Sequence, residues 1–329
     1  MWRRLRCLKG PLFQAWSGCL VGVMIACGGE ADRFADGSDS LKRLAVADAT
    51  AAMPTTLPGT DEDWRIMREK VRWAYDQGLA KLSMGELVAR IGETFVGTPY
   101  APHTLEVTGE ERLVVELQEL DCVTFVENVL ALALFVQTVP SFILDEPGKQ
   151  YRSFYSAILE RIRYREGTLD GYPSRLHYFS EWITDNGNKG ILLNVSEELG
   201  GVADTEPIEF MTTHPGAYRQ LGEDPEFLSA LQAVESRLNK SPRFYIPAER
   251  IAEVAGRIRD GDVIAATSTV AGLDIGHTGI ALWKDGGLHL LHAPLVGGVV
   301  QISEVPLADR ILHIGNQDGV MVARPLDTR

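Results

Sequence analysis

The chain has 329 residues, of which 45% are apolar and 23% are charged. This composition suits one large folded domain or two small ones, and it excludes a mostly disordered chain. The formal net charge of -13 argues against a nucleic-acid-binding surface, because such a surface needs cations that neutralise phosphates. No nucleic-acid partner is therefore expected.

The N-terminus has the layout of an export signal. Its first ten residues include four cations: Arg3, Arg4, Arg6 and Lys9. An apolar stretch follows over residues 11–26 and runs into Met24-Ile25-Ala26-Cys27, which resembles the bacterial lipobox, a motif whose cysteine is acylated. We predict a lipoprotein signal peptide over 1–26 and a lipid on Cys27 that anchors the protein in the cell envelope, facing the periplasm. A plain signal peptide or a short membrane anchor is the alternative.

A flexible tether is predicted over residues 27–61, because this segment is rich in Ala, Asp, Thr, Gly and Pro and has no periodicity. The chain has four cysteines: Cys7, Cys19, Cys27 and Cys122. The first two leave with the signal peptide, and Cys27 would be acylated. Cys122 is then the sole thiol of the mature chain, in a compartment where thiols usually pair or oxidise. It is a candidate nucleophile.

Helices are predicted in the first part of the folded chain. Apolar residues recur at helical spacing from Asp61 to Ala80, and Ser83-Met84-Gly85-Glu86 fits a capping box that opens a second helix. Gly97-Thr98-Pro99-Tyr100 ends it. A short strand is expected over Arg112–Leu117, and a helix with a clean apolar stripe starts near Asp121.

Helices and strands are segregated along the rest of the chain. The middle part is expected to be mainly helical, with helices over Tyr151–Tyr164, Ser174–Asp185 and Asp224–Leu238. Short β-rich segments follow after Ile258: Asp262–Ser268, Thr278–Lys284, Leu288–Ala293, Val299–Ser303 and Val320–Arg324. Asp285-Gly286-Gly287 joins two of them as a hairpin turn. Helices first and an antiparallel sheet afterwards predict an α+β fold.

Cys122 directly follows Asp121, a good N-cap residue, so that its thiol lies at the first turn of a helix. Unpaired backbone N–H groups at a helix start favour negative charge, and we expect them to lower the pKa of the Cys122 thiol. The same groups can receive the oxyanion that forms when a thiolate attacks a carbonyl. A free cysteine buried in the core is the alternative.

A cysteine nucleophile needs a base, which in the common pattern is a histidine. His277 opens one predicted strand and His292 lies in the next, so that a hairpin brings the two imidazoles together and one can orient the other. His289 competes for the orienting role but is expected on the opposite face of its strand. Surface histidines or a zinc pair are the alternatives. No His-x-x-x-His or Cys-x-x-Cys pair occurs, so that no metal and no cofactor is predicted.

Five short motifs occur in order along the chain: Gly97-Thr98-Pro99-Tyr100, Asp121-Cys122, Gly261-Asp262, His277-Thr278-Gly279-Ile280 and Leu291-His292-Ala293. In this order, and with these helix and strand contexts, the chain resembles the NlpC-type cell-wall hydrolases. These are papain-like cysteine enzymes in which a Cys-bearing helix packs on a small antiparallel β-sheet that carries the His. The resemblance implies an NlpC-type, papain-like core.

Two departures from the common NlpC-type pattern point to one branch of the superfamily. The spacing from Cys122 to His277 is much longer, which implies a helical insertion over about 151–246 within a single catalytic domain, 62–329, and the usual Asp-Cys-Ser-Gly is absent. Both departures resemble the N-acetylmuramoyl-L-alanine amidase-like branch. So do four further segments: Arg175-x-His177-Tyr178, Trp182, Tyr245-Ile246-Pro247 and Leu273-Asp274-Ile275-Gly276-His277. This resemblance implies cleavage between the lactyl group of muramic acid and L-alanine in muropeptides, which are fragments of peptidoglycan.

The resemblance also implies roles for single residues. Cys122 attacks the lactyl carbonyl, His277 transfers protons, and His292 orients His277. The oxyanion is expected on the Cys122 backbone N–H and the Tyr100 hydroxyl. Asp121 is open between a substrate amine and a helix cap. A set of substrate contacts is expected from one short helix of the insertion: Arg175, His177 and Tyr178, with Trp182 open between substrate and core.

Two other functions stay open at this point. The first is an endopeptidase that cuts the γ-D-glutamyl bond to a diamino acid, the commoner activity in the superfamily. The second is an envelope-binding lipoprotein whose papain-like domain is catalytically dead. The intact set of Cys122, His277 and His292 argues against a dead domain, because a binding module needs none of the three.

Overall fold

The computed structural model of the protein describes residues 58–328. The predicted signal peptide, Cys27 and most of the predicted tether lie outside these residues. The helices are α1 (Asp61–Asp76), α2 (Met84–Glu93), α3 (Cys122–Thr138), α4 (Tyr151–Arg163), α5 (Phe179–Asn188), α6 (Phe210–Thr213), α7 (Arg219–Glu223), α8 (Pro225–Leu238), α9 (Ile251–Val254) and α10 (Leu307–His313). Among the described residues, no helix is long and apolar enough to cross a membrane.

The strands form one antiparallel sheet beside these helices. They are β1 (Leu192–Asn194), β2 (Val202–Asp204), β3 (Arg243–Pro247), β4 (Val263–Ser268), β5 (Ile275–Lys284), β6 (Gly287–His292), β7 (Gln301–Ile302) and β8 (Gln317–Pro325). Their order in the sheet is β2-β3-β8-β4-β5-β6-β7, and β1 pairs with β8. The predicted α+β class with an antiparallel sheet is confirmed.

The hairpin between β5 and β6 turns at Asp285 and Gly286, whose φ angles are 50° and 82°. Two left-handed residues in a two-residue loop give a type I′ turn, which matches the right-handed twist of the flanking strands. Beyond the turn, Ile280 pairs with Leu291. This register sets His277 and His292 at the open end of the same hairpin.

Three local predictions are wrong. The segment Arg112–Leu117 is not a strand: the Leu117 N–H donates to the Asp63 carboxylate on α1, 3.0 Å away, instead of to another strand. The insertion is not only helical, because β1, β2 and β3 leave it to join the sheet. The predicted helix Ser174–Asp185 begins only at Phe179, since the chain before it forms a 3-10 turn over Tyr172–Ser174.

Helix α3 is the centre of the helical layer. All its residues from Thr124 to Val136 are buried, between α1, α2 and α4 on one side and β5 on the other. The opposite face of the sheet carries a second apolar core with α9 and α10, which includes Leu290, Leu307 and Ile311. The sheet therefore separates two cores, and the Cys122 end of α3 lies where the first core meets β5.

One buried ion pair joins α3 to the insertion. Arg163 on α4 donates to Glu127 on α3 at 2.7 Å, and each side chain is only 2% exposed. The Trp182 indole N–H of α5 donates to the other Glu127 oxygen at 3.2 Å, and Arg163 also donates to the Val114 carbonyl. The Glu127 carboxylate thus takes its hydrogen bonds from two residues of the insertion, Arg163 and Trp182.

The Gly261-Asp262 motif joins the start of α2 to the start of β4. Gly261 has a φ of +81°, and a Cβ there would lie 1.9 Å from the Gly85 carbonyl oxygen. Only glycine allows so close an approach of two backbones. Asp262 is buried and binds the Arg324 guanidinium of β8 at 2.8 Å, so that the motif fixes three elements at once.

We expect Arg163→Met to lower the free energy of unfolding by about 3–5 kcal/mol, because it leaves the Glu127 carboxylate buried without its partner. Urea unfolding followed by circular dichroism measures the change. The matched control is Arg219→Ala, which removes the exposed ion pair with Glu223 on α7 and should change stability by less than about 0.5 kcal/mol. A loss below about 1 kcal/mol for Arg163→Met would show that the pair is dispensable.

Candidate active site

Cys122 is the first residue of α3, and Asp121 caps the helix. An Asp121 carboxylate oxygen accepts from the Thr124 N–H at 2.8 Å, and the Asp121 N–H donates to the Thr124 hydroxyl at 2.9 Å. Of the two roles predicted for Asp121, the structure contains the helix cap, and contact with a substrate amine stays a prediction. Cys122 is a free cysteine, and the residue as a whole is of intermediate exposure.

Strand β5 holds the start of α3 through Thr278. The Thr278 hydroxyl donates to the Cys122 carbonyl at 2.7 Å. Thr278 directly follows His277, so that this bond fixes the strand that carries His277 against the first turn of the helix that carries Cys122. The sequence motif contained Thr278 but gave it no role. The sequence feature that could have indicated a role for Thr278 is its position directly after His277, at the start of the buried part of β5.

The two histidines are in direct contact. His277 Nε2 and His292 Nδ1 lie 2.7 Å apart, and the rings meet edge to face, with an angle of 84° between their planes. Because His277 uses Nε2 in this bond, its Nδ1 is the nitrogen left for a proton from another group. His289 instead donates to the Ser303 carbonyl at 2.8 Å. The hairpin thus pairs His277 with His292 and directs His289 elsewhere.

Burial controls the protonation of this site. Burial, with a further contribution from the Asp121 charge, raises the pKa of the Cys122 thiol to about 11, and hydrogen bonds from Thr278 oppose the rise. Burial lowers the pKa of His277 to about 3. The expectation that the helix start lowers the pKa of the thiol is wrong, because loss of solvation outweighs the helix. Both groups are neutral at pH 7.

Arg310 is a charged neighbour of the histidine pair that the sequence did not indicate. It lies on α10, which packs against β6, and its charge adds to burial in lowering the pKa of both His277 and His292. The buried Nε of Arg310 and the buried Nε2 of His292 find no hydrogen-bond partner within residues 58–328. The sequence near Arg310 could not predict this role, because only tertiary packing brings α10 to the hairpin that carries the two histidines.

Tyr100 lies on the Cys122 side of the site. Its backbone N–H donates to the Gly298 carbonyl at 2.8 Å, and it forms a bridge with Leu120, two residues before Cys122. Burial raises the pKa of the Tyr100 hydroxyl, and the negative charges of Cys122 and Asp121 raise it further. Tyr100 therefore lies close to the start of α3.

The side chains predicted to contact substrate from the insertion make bonds within the protein. Arg175 is buried and donates to Glu106 at 2.5 Å, while the Tyr178 hydroxyl donates to Glu235 at 2.6 Å. His177 donates to the Tyr172 carbonyl at 2.9 Å. Arg175 and His177 precede α5 and do not lie on it, so that the prediction of one short helix carrying all of these residues is wrong. Trp182 is fully buried and belongs to the core. Whether Arg175, His177 and Tyr178 also meet substrate stays a prediction.

The family of the chain follows from a comparison with family models. Residues 90–316 match the AmiA-like model, which is described as N-acetylmuramoyl-L-alanine amidase-like. The chain belongs to this family. The matched range contains Cys122, His277 and His292, together with Tyr100 and Arg310, so that every group described above lies within the family region of this amidase-like protein. Within the described residues, no three His, Cys, Asp or Glu side chains come together as a metal site.

Several solved structures are similar to this chain. A crystal structure of an N-acetylmuramoyl-L-alanine amidase from Bacteroides uniformis is 35% identical, covers 74% of this chain and 99% of its own, and superposes with a TM-score of 0.68. A Bacteroides fragilis structure provisionally named a xylanase is also 35% identical, with a TM-score of 0.64 over 71% of this chain and 98% of its own. A Legionella pneumophila protein, 20% identical with a TM-score of 0.57 over 82% of this chain and 97% of its own, shares the fold. A comparison with curated proteins gave no match.

The pH dependence of Cys122 alkylation follows from the raised pKa of its thiol. Below a pKa of about 11, the thiolate fraction grows about tenfold for each pH unit. The rate of Cys122 modification by iodoacetamide should therefore rise steadily from about pH 6 to about pH 9 without a plateau. Mass spectrometry of the Cys122 peptide gives the rate. A preformed thiolate–imidazolium pair would give a flat profile over the same range, and that result would contradict the neutral pair.

Proposed function

We propose that the protein is a peptidoglycan hydrolase, an N-acetylmuramoyl-L-alanine amidase that cleaves the lactyl–L-alanine amide of muropeptides with Cys122 as its nucleophile. The observation that carries the proposal is the His277–His292 hydrogen bond on the strand that holds the Cys122 helix start, in a chain of the amidase-like family. The Bacteroides uniformis neighbour is named as an N-acetylmuramoyl-L-alanine amidase, which supports the lactyl–L-alanine amide as the bond that is cleaved. Helix α3 on β5 would then be the Cys-bearing helix and the His-bearing sheet of an NlpC-type, papain-like core.

The first half of the reaction transfers the lactyl group to the enzyme. The Cys122 thiol gives its proton to Nδ1 of His277 while its sulfur bonds to the lactyl carbonyl carbon. The resulting tetrahedral intermediate collapses when the C–N bond breaks, and His277 returns the proton to the leaving amine of L-alanine. The product left on the enzyme is a thioester. His292 accepts the Nε2–H of His277 and thereby keeps Nδ1 free for each transfer.

The second half releases the sugar. His277 takes a proton from water, the hydroxide attacks the thioester carbonyl, and the C–S bond breaks. The proton then returns to Cys122, so that the thiol and the neutral imidazole are restored. The water supplies the oxygen of the new lactyl carboxylate. No cofactor takes part in either half of the proposed reaction.

The neutral resting pair makes the proton transfer from Cys122 uphill. The transfer creates a thiolate and an imidazolium together, and their attraction is about 4 kcal/mol for charges about 4 Å apart at an effective dielectric of about 20. The enzyme must therefore also stabilise the negatively charged oxygen of the tetrahedral intermediate. The first N–H groups of a helix have no partner within the helix, so that the Cys122 N–H can serve, together with the Tyr100 hydroxyl, as its donor.

The products formed from one purified disaccharide tripeptide decide between the two enzymatic functions. The amidase yields a free peptide that begins with L-alanine and a sugar with a lactyl carboxylate, whereas the endopeptidase leaves L-alanyl-D-glutamate on the sugar. We expect the first set by mass spectrometry, with Cys122→Ala folded but slower by at least about a thousandfold. A sugar that still carries L-alanyl-D-glutamate would show that the protein is the endopeptidase and not the amidase. No products at all would favour the catalytically dead binding protein.

The two histidines should differ in how much activity their loss removes. His277→Ala removes the group that transfers both protons, and we expect no detectable turnover. His292→Gln keeps one hydrogen bond to the His277 ring, so that a measurable fraction of kcat should remain. His289→Gln is the matched control on the same strand and should be silent, because His289 binds the Ser303 carbonyl. Damage by His289→Gln without damage by His292→Gln would reverse the assignment of the orienting residue.

We also propose that Cys27 carries a lipid that anchors the protein in the cell envelope, facing the periplasm. The support is the sequence Ala26-Cys27-Gly28 after an apolar stretch. Cys27→Ser should move the protein from the membrane to the soluble fraction, and the N-terminal peptide of the membrane-bound wild type should carry the mass of acyl chains. A membrane-bound protein with an unmodified Cys27 would contradict the anchor.

A further inference from the structure

Arg310 is a cation without a counter-ion. Its side chain is half-buried, and burial lowers the pKa of the guanidinium with no carboxylate to oppose the change. Within residues 58–328 the guanidinium forms no ion pair and no hydrogen bond, although the chain has 45 Asp and Glu against 32 Lys and Arg. The adjacent Asp309 is exposed to solvent and does not neutralise it. Arg310 is therefore available to an anion from outside the protein.

The backbone places Arg310 on the same side of the sheet as the catalytic hairpin's histidines. Arg310 is three residues after Leu307 on α10 and shares its helical face, and Leu307 packs in the second core with Leu290 of β6. His292 is two residues after Leu290 and so lies on the same face of that strand. Helix α10 packs on β6. The lowering of the pKa of both histidines by the Arg310 charge agrees with this placement.

Two buried donors at this place lack an acceptor. In the proposed reaction His292 accepts from His277 through Nδ1, so that Nε2 of the neutral His292 ring carries the proton. Nε2 of His292 and Nε of Arg310 are both buried, and neither has a partner in the part of the chain that the structure describes. Both are N–H donors, so that neither can accept from the other. Unmade hydrogen bonds of buried donors destabilise a fold, and a ligand that carries acceptor oxygens would remove the penalty.

We propose that Arg310, together with the Nε2–H of His292, binds the free carboxylate of D-glutamate in the peptide of the muropeptide. The choice of ligand rests on the proposed amidase function. A guanidinium and a carboxylate form strong, charge-assisted hydrogen bonds, often two at once.

The chemistry of the substrate brings this carboxylate to the site. D-glutamate follows L-alanine and is linked onward through its γ-carbonyl, so that its α-carboxylate is free. It lies two residues from the scissile amide, which is at most about 7 Å of extended chain. His277 serves that amide in the proposed reaction and is 2.7 Å from His292. Binding at Arg310 would therefore orient the leaving peptide while its amide is held at Cys122.

The stability of the protein separates ligand binding from structural support. A half-buried guanidinium without a partner destabilises the fold, so that Arg310→Met should leave the melting temperature unchanged or raise it. Thermal unfolding followed by circular dichroism measures the shift. A fall of more than about 3 °C would show that Arg310 supports the fold and would contradict a residue kept for its ligand.

The test compares two disaccharide tripeptides, which differ only in whether the α-carboxylate of D-glutamate is free or a carboxamide. Their binding to Cys122→Ala is measured by calorimetry, and their cleavage by the wild type is measured from the products. We expect the free carboxylate to bind at least about tenfold more tightly. Adding Arg310→Met should reduce this preference to less than about twofold, whereas Arg310→Lys, which keeps the charge, should retain part of it.

The matched control is Arg250→Met. It removes the same charge from the turn before α9, which also packs on α10, but Arg250 already has the Glu253 carboxylate 3.9 Å away. The preference for the free carboxylate should therefore persist in this variant.

Three results would overturn the proposal: no binding of either tripeptide, equal binding of both, or an unchanged preference in Arg310→Met. Cleavage of the lactyl–L-alanine amide together with one of these results would keep the amidase and remove the Arg310 site. Cleavage of the γ-D-glutamyl bond, with a preference that Arg310→Met abolishes, would keep the site and remove the amidase. The two proposals therefore fail separately.

Discussion

The buried pair of Glu127 and Arg163 is the constraint on which the rest of the structure depends. Helix α3 is enclosed on all sides, and a carboxylate inside an apolar layer must find a cation and donors there. Arg163 and Trp182 supply them from α4 and α5. The insertion therefore completes the surroundings of the helix that presents Cys122. A Tyr155–Asn128 hydrogen bond of 2.6 Å repeats this link one residue further along α3.

The parts of the site that could be predicted from the sequence are those whose information is local. The cap of α3 needs only Asp121 and Thr124, which are three residues apart, and the hairpin needs only an Asp-Gly turn between two alternating apolar runs. The turn then sets the register that brings His277 to His292 and turns His289 away. A few neighbouring residues thus determine the helix cap and the hairpin. The order of the motifs along the chain indicated that the two belong to one site.

The parts that could not be predicted depend on distant residues. Residues 112–117 have a strand-like pattern, but their partner is the Asp63 carboxylate of α1. The strands of the insertion are short, and β1 is stabilised by pairing with β8, more than 120 residues later in the chain. The same limit applies to the thiol: a helix start is visible in the sequence, whereas the burial that raises the pKa of Cys122 is a property of the whole fold.

The position of β8 has a consequence for the order of folding. It is the last strand of the described chain, yet it lies at the middle of the sheet, between β3 and β4, and also pairs with β1. Pairings between strands so far apart in sequence form slowly, because a long loop must close first. The sheet cannot close around its centre until residues 317–325 are free of the ribosome. The middle of the sheet therefore forms only after the other strands of the described chain have been made.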